Sequence, residues 1–254
     1  MEISDKKLLN FVADLGALMI KNGAEMQRTE KTIMKIAASD GIHSAAVFVV
    51  PTSIMVTLHN DEGGTFTEIK RIPGRRINLE KVIACDMLAV EYIEKRKSID
   101  ECIKAIDSID SLTDFKVPVR IASYSLICMT FTILFRGTLM DGLAALFAGV
   151  FQGIVMEILG KYDISVFLSN AAGSAVVAAA AYIFYIFGIA DNYNSVILGS
   201  LMPLVPGFAA TNAVRDLLYG YYVSGNAKLT EALVTSIGIA TGVITTLWLF
   251  GSII

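Results

Sequence analysis

Leu201 to Gly225 reads LMPLVPGFAATNAVRDLLYGYYVSG, an apolar run interrupted by Pro203, Pro206 and Gly207 and then carrying Asn212, Arg215 and Asp216. Each proline removes a backbone donor and glycine accepts positive φ, so a regular helix kinks or breaks there. Irregular backbone at membrane depth is tolerated only where it is buried in protein or lines a watery cavity, and broken helices are where secondary transporters commonly hold substrate. The stretch reads either as a transport site or as a kinked helix with a charged cap outside the bilayer. In the first reading Arg215 is its best group for a substrate carboxylate, Asn212 adds an amide, and the backbone opened around Pro206 and Gly207 faces an ammonium or hydroxyl.

Composition sets the class around this stretch. The chain has 254 residues, of which 54% are apolar, and a mean hydropathy of +0.61, too apolar for an ordinary soluble protein. Its charge is segregated: 16 of 21 Lys and Arg and 18 of 24 Asp and Glu precede Pro118. A water-soluble domain over 1–115 is therefore expected before a membrane domain over 116–254. The net charge of -3 gives no reason to expect nucleic acid. Cys85, Cys102 and Cys128 are scattered, which suits packing on a reducing side better than disulfides. The first thirty residues carry charge without an apolar run leading to a cleavage site, so no secretory signal is expected and the N-terminus should stay inside.

The soluble part reads as α+β. Leu8, Phe11, Val12, Leu15, Leu18 and Met19 form one helical stripe ending at Asn22-Gly23. Met26, Ile33, Ile36 and Ala37 carry a second helix to Asp40-Gly41, with Glu25, Arg28 and Glu30 on its other side. His43–Val50, Ile54–His59 and Thr65–Ile72 read as three antiparallel strands, with Pro51-Thr52-Ser53 and the cluster Asn60-Asp61-Glu62-Gly63-Gly64 as turns. His43 and His59 have no Cys or carboxylate near them at metal-ligand spacing, so neither a metal nor a cofactor is expected. Asn78 caps a helix whose apolar stripe is Leu79, Val82, Ile83, Met87, Val90 and Ile93, running to Lys95-Arg96-Lys97. Ser98 and Glu101 form a capping box for another, with Ile99, Cys102, Ile103, Ile106 and Ile109 buried, and Asp107–Asp114 follows as an acidic linker.

Five all-α spans are expected in the membrane part, at 117–135, 138–159, 164–187, 193–213 and 229–254, each near the roughly 20 residues that a bilayer requires. A re-entrant pair around 201–225 is the alternative for the fourth. Gln152 in the second span and Asn170 in the third join the candidate transport residues. Ala145, Gly149 and Gly153, and likewise Gly238 and Gly242, have the spacing that lets helices approach closely, either each other or helices from elsewhere. Asp141 and Glu157, near opposite ends of the second span, are expected to reach interfacial water. With a cytosolic large domain, Lys161, Arg215 and Lys228 fall inside and only Arg136 outside, as the positive-inside rule prefers.

The pattern Pro206-Gly207, Thr211-Asn212, Arg215-Asp216, Gly220 and Gly225, together with Gly23, Ala24, Arg28 and Glu30, resembles the threonine/serine exporter (ThrE-type) family, over nearly the whole chain. The resemblance implies a multi-pass cell-membrane exporter with its N-terminal domain cytoplasmic. It also implies that Gly23, Arg28 and Glu30 belong to an interaction surface near the cytosolic mouth; from the residues alone, Arg28 and Glu30 read equally as a solvated face. Some members are single long chains, and others look split into a long subunit like this one and a short all-membrane partner of about 150 residues, so a hetero-oligomer is expected, with a homo-oligomer as the alternative.

No GxxxxGK[ST] loop is present, which favours secondary transport. The substrate expected from the resemblance is threonine or serine, with small dicarboxylates such as succinate as the alternative. A membrane-tethered hydrolase and a ligand-binding regulatory protein are the readings of another class; no GxSxG or Ser-His-Asp constellation supports the former, and no enzymatic activity is expected.

Overall fold

In a computed structural model the described residues are 2–42, 44–59, 63–74, 77–113, 115–162 and 164–251. His43, Asn60–Glu62 of the expected turn cluster, Asp114 of the linker and the last three residues of the expected fifth span lie outside them. The chain divides into two compact units, Met1–Asp114 with Thr211–Leu229, and Phe115–Ala210 with Thr230–Ile254. The first unit thus holds the expected soluble domain and also 211–229, which the sequence reading assigns to the membrane part.

Within the first unit the core forms around α1 (Glu2–Lys21), whose Phe11, Val12, Leu15 and Met19 are fully buried. Against it lie α2 (Met26–Ser39), α3 (Leu79–Ile93), α4 (Ile99–Asp110) and the sheet. Strands β1 (Ser44–Val50), β2 (Ser53–His59) and β3 (Thr65–Arg71) are antiparallel in the order β1-β2-β3. The alternation along β2 puts Ile54, Val56 and Leu58 into the core, each burial stabilising by about 1.5–3 kcal/mol. Asn78 accepts from the Lys81 N–H at 3.2 Å and Ser98 with Glu101 completes the capping box, so α3 and α4 start where the cap residues stand.

The face of α3 differs from the expected stripe. Its buried residues are Val82, Cys85, Leu88, Ala89 and Tyr92, while Leu79, Ile83, Met87 and Val90 are exposed. An apolar helix offers more than one stripe, and the neighbours α1, α2 and α4 select which is covered. The helix also stops at Ile93; Lys95 follows with φ 57° and bonds Asp40 at 2.6 Å.

The second unit is all-α, with α5 (Val117–Leu134), α6 (Leu139–Lys161), α7 (Val166–Ile186), α8 (Tyr193–Ser200) and most of α10 (Tyr222–Gly251). Among the described residues four helices are long and apolar enough to cross a membrane, or five spans if the bent pair of α8 and α9 (Gly207–Leu218) counts as one. Small residues set the packing. A Cβ on Gly149 would lie 2.7 Å from Ser125 Cα on α5, and one on Gly242 would lie 2.1 Å from the Ala171 carbonyl on α7. The stripes are thus occupied inside the unit by α5 and α7 respectively, and do not pack against each other as one of the expected alternatives had it.

The fifth expected span begins earlier than its apolar run suggests. α10 starts at Tyr222 and contains Gly225, where a Cβ would meet Leu217 Cγ at 2.6 Å and the Ala213 carbonyl at 3.1 Å. Gly225 is a crossing point of α9 and α10.

Candidate transport site

The two sequence blocks that carry the family resemblance meet in the first unit. Arg215 on α9 is ion-paired with Glu25 immediately before α2, and the Tyr221 hydroxyl donates to Glu30 on α2. Burial first, and then its bond to Glu30, pushes the Tyr221 phenol up to about 12, so it remains a donor. Asp216 accepts from Lys228 at 2.7 Å, with side chains 4% and 7% exposed. Arg28 pairs with Asp86 on α3, whose carboxyl burial pushes above its ordinary value against the opposing pull of that arginine.

Glycines in the same blocks shape the backbone. Gly23 and Gly220 have φ of 96° and 85°, and each closes a helix by the same pair of bonds, Gly23 N–H to Ile20 and Ala24 N–H to Met19, Gly220 N–H to Leu217 and Tyr221 N–H to Asp216. This is the Schellman arrangement, which a glycine at that position permits without strain. Arg28 and Glu30, read from the sequence as a solvated face or an interaction surface, are bound within the unit, and Arg215 has a carboxylate partner of its own. Asn212 is buried and Thr211 exposed on the same helix.

The break lies where the prolines put it. α8 ends at Ser200, Met202–Leu204 forms one 3₁₀ turn, α9 starts at Gly207, and the two helices bend by 56°. Pro203 sits in the 3₁₀ turn and Pro206 immediately precedes α9, whose Ala210 N–H donates to the Pro206 carbonyl at 2.9 Å. A buried polar cluster adjoins the end of α8: Gln152 Nε2 donates to the Ser200 carbonyl at 3.1 Å, and Cys128 Sγ lies 3.6 Å from both that carbonyl and Gln152 Oε1. The Ser200 and Thr132 hydroxyls are buried without a hydrogen-bond partner, each a cost of about 1–3 kcal/mol. Thr132 is pressed against α8 where Gly199 lacks a side chain; a Cβ there would lie 2.1 Å from Thr132 Oγ1.

Gln152 is brought to the break, whereas Asn170 bonds its own helix, Nδ2 to the Val166 carbonyl at 2.7 Å. The sequence reading takes Cys128 as packing and does not name Thr132 or Ser200; the position of Ser200 one turn before Pro203 is the available signal. Asp141 departs from its expected fate. It is 1% exposed, caps α6 through Thr138, and accepts from the Asp191 and Asn192 N–H groups at 2.8 and 2.9 Å. Three backbone donors satisfy that carboxylate where interfacial water was expected. Glu157 pairs with Arg120 on α5.

The family model described as "Putative threonine/serine exporter" matches residues 10–250. The chain is 21% identical over 252 residues to the "Probable threonine/serine exporter" of Mycobacterium tuberculosis, covering 97% of this chain and 47% of that protein. It is 20% identical over 243 residues to the "Threonine/serine exporter" of Corynebacterium glutamicum, covering 93% and 50%. The chain spans about half the length of these curated relatives. No solved structure matches it.

Proposed function

The chain belongs to the threonine/serine exporter family, a family of membrane transporters and not of enzymes, and on that premise we propose that it is one subunit of a secondary-active exporter of threonine, serine and related small polar metabolites. The observation that carries this reading is the 56° break between α8 and α9 beside the Gln152–Ser200 cluster. A broken helix presents main-chain polar groups to a solute, and two unmet hydroxyls next to it stand to gain partners when the segment 201–207 shifts. In this proposal Pro203, Pro206, Gly207 and Gln152 form the transport site. Arg215, Asp216, Arg28, Glu30 and Gly23 hold the first unit together, a structural role in place of the substrate-binding one expected for Arg215 and Asp216.

The remaining half of the transport unit, matching what the longer relatives carry beyond the shared region, comes in this proposal from a short all-membrane partner chain, with a second copy of this chain as the alternative. The first unit lies on the cytoplasmic side, which places Lys161, Arg215 and Lys228 inside. Efflux of labelled threonine, serine or succinate from proteoliposomes holding this chain, with and without such a partner, tests the reading. Threonine and serine efflux that rises on co-reconstitution supports it. Succinate efflux without amino-acid efflux replaces the substrate, and export of none of the three with either composition contradicts it.

A further inference from the structure

A cleft of about 290 Å³ lies within the second unit beside the break, lined by Phe115, Arg120, Ser123, Tyr124, Ile127 and Pro203. Among the described residues Arg120 is its only charged lining group. One end of its guanidinium is fastened to Glu157 of α6, whose side chain is 15% exposed, while its Nε is buried and has no hydrogen-bond partner. Guanidinium presents its donors in one rigid plane, so fixing one nitrogen on Glu157 orients the rest. A buried donor on a cationic group without an acceptor is costly, and the acceptor that suits it best is a carboxylate taking two donors at once.

We propose that Arg120 forms a subsite for a zwitterionic amino acid, binding the α-carboxylate from the cleft, while Glu157, its ion-pair partner, supplies the negative charge that favours the α-ammonium. The inference rests on the exporter reading and deepens it by naming the charge pattern of the substrate. The pair and the ligand are each neutral overall, so each charge on the ligand meets its opposite. A dicarboxylate would bring two negative charges beside Glu157 with one cation to meet them. The cleft thereby selects for zwitterions over dianions.

The test measures efflux of labelled threonine from proteoliposomes holding the full chain with its partner, against unlabelled threonine, threoninol or succinate as competitor. Threoninol keeps the ammonium and hydroxyl and lacks the carboxylate. The expected result is that threoninol and succinate each compete at least about tenfold more weakly than threonine, and that Arg120→Lys raises the KM for threonine by about tenfold with a smaller change in maximal rate, because lysine cannot give the planar two-donor contact. Threoninol competing as well as threonine, or Arg120→Lys with an unchanged KM, overturns the subsite and leaves the exporter reading standing. If the lysine variant does not accumulate, the competitor series on the wild-type chain decides. A wild-type chain that moves succinate but no amino acid removes this subsite and leaves an exporter of another substrate, and one that moves none of threonine, serine and succinate removes both readings.

Discussion

Arg215 on α9 is ion-paired with Glu25, a residue 190 positions earlier in the chain. Their side chains are 49% and 37% exposed, and such a pair contributes only about 0–1 kcal/mol by itself. Its weight comes from repetition over a short distance in sequence. Tyr221 reaches Glu30 and Lys228 reaches Asp216, so α9 and the start of α10 are fastened to α2 and to each other by three contacts within fourteen residues, 215–228.

Charge reversal at one end of the Glu25–Arg215 pair should therefore weaken export, and reversal at both should restore it. Arg215→Glu or Glu25→Arg places like charges together, whereas the double variant re-forms the contact with opposite polarity. Export rates of the two single variants and the double, at matched abundance, give the coupling. A double variant as impaired as Arg215→Glu would return Arg215 to a role on the substrate.

The Asp216–Lys228 pair behaves differently because it is buried. Asp216→Ala or Lys228→Ala leaves an uncompensated charge in the unit, a loss of about 3–5 kcal/mol. Each single variant should therefore fall in abundance and in melting temperature, while Asp216→Leu combined with Lys228→Met recovers most of both. Thermal unfolding of the purified chains is the readout, and full stability of either single alanine variant would contradict the burial argument.

Close helix contacts predict a contrast among glycines. Gly199→Ala drives a methyl group onto the Thr132 main chain and Gly242→Ala onto the Ala171 carbonyl, whereas Gly160 has open space around it. The first two substitutions should each cost about 1–3 kcal/mol or more and lower membrane abundance, with Gly160→Ala close to neutral. Equal abundance of all three would show that the helices do not approach as described.

How much of this was legible in the sequence depends on the range of the interaction. The break at Pro203 and Pro206, the strand alternation at Ile54, Val56 and Leu58, and the caps at Asn78 and Ser98 are local, and the residues alone place them. The Glu25–Arg215 contact has no local signature, since an exposed arginine near a helix end reads the same whether it meets a substrate or a distant glutamate. The buried face of α3 is legible at Val82 but not beyond it, because Leu79, Ile83, Met87 and Val90 make as good a stripe as Cys85, Leu88 and Ala89, and only the neighbouring helices choose between them. Asp141 was misread for a similar reason: the N–H groups of Asp191 and Asn192 that satisfy it lie fifty residues away.

The most direct test of the broken helix as transport site is the initial rate of threonine efflux from proteoliposomes holding Pro203→Ala/Pro206→Ala, compared with wild type at equal protein. Alanine restores two backbone donors and helix propensity between Ser200 and Gly207, which stiffens the segment proposed to move. The predicted result is a rate lowered by about tenfold, equivalent to roughly 1.4 kcal/mol on the transport barrier, with membrane abundance and melting temperature maintained or raised. An unchanged rate in a stably folded double variant would contradict the assignment and leave 201–207 as a bend with no part in transport.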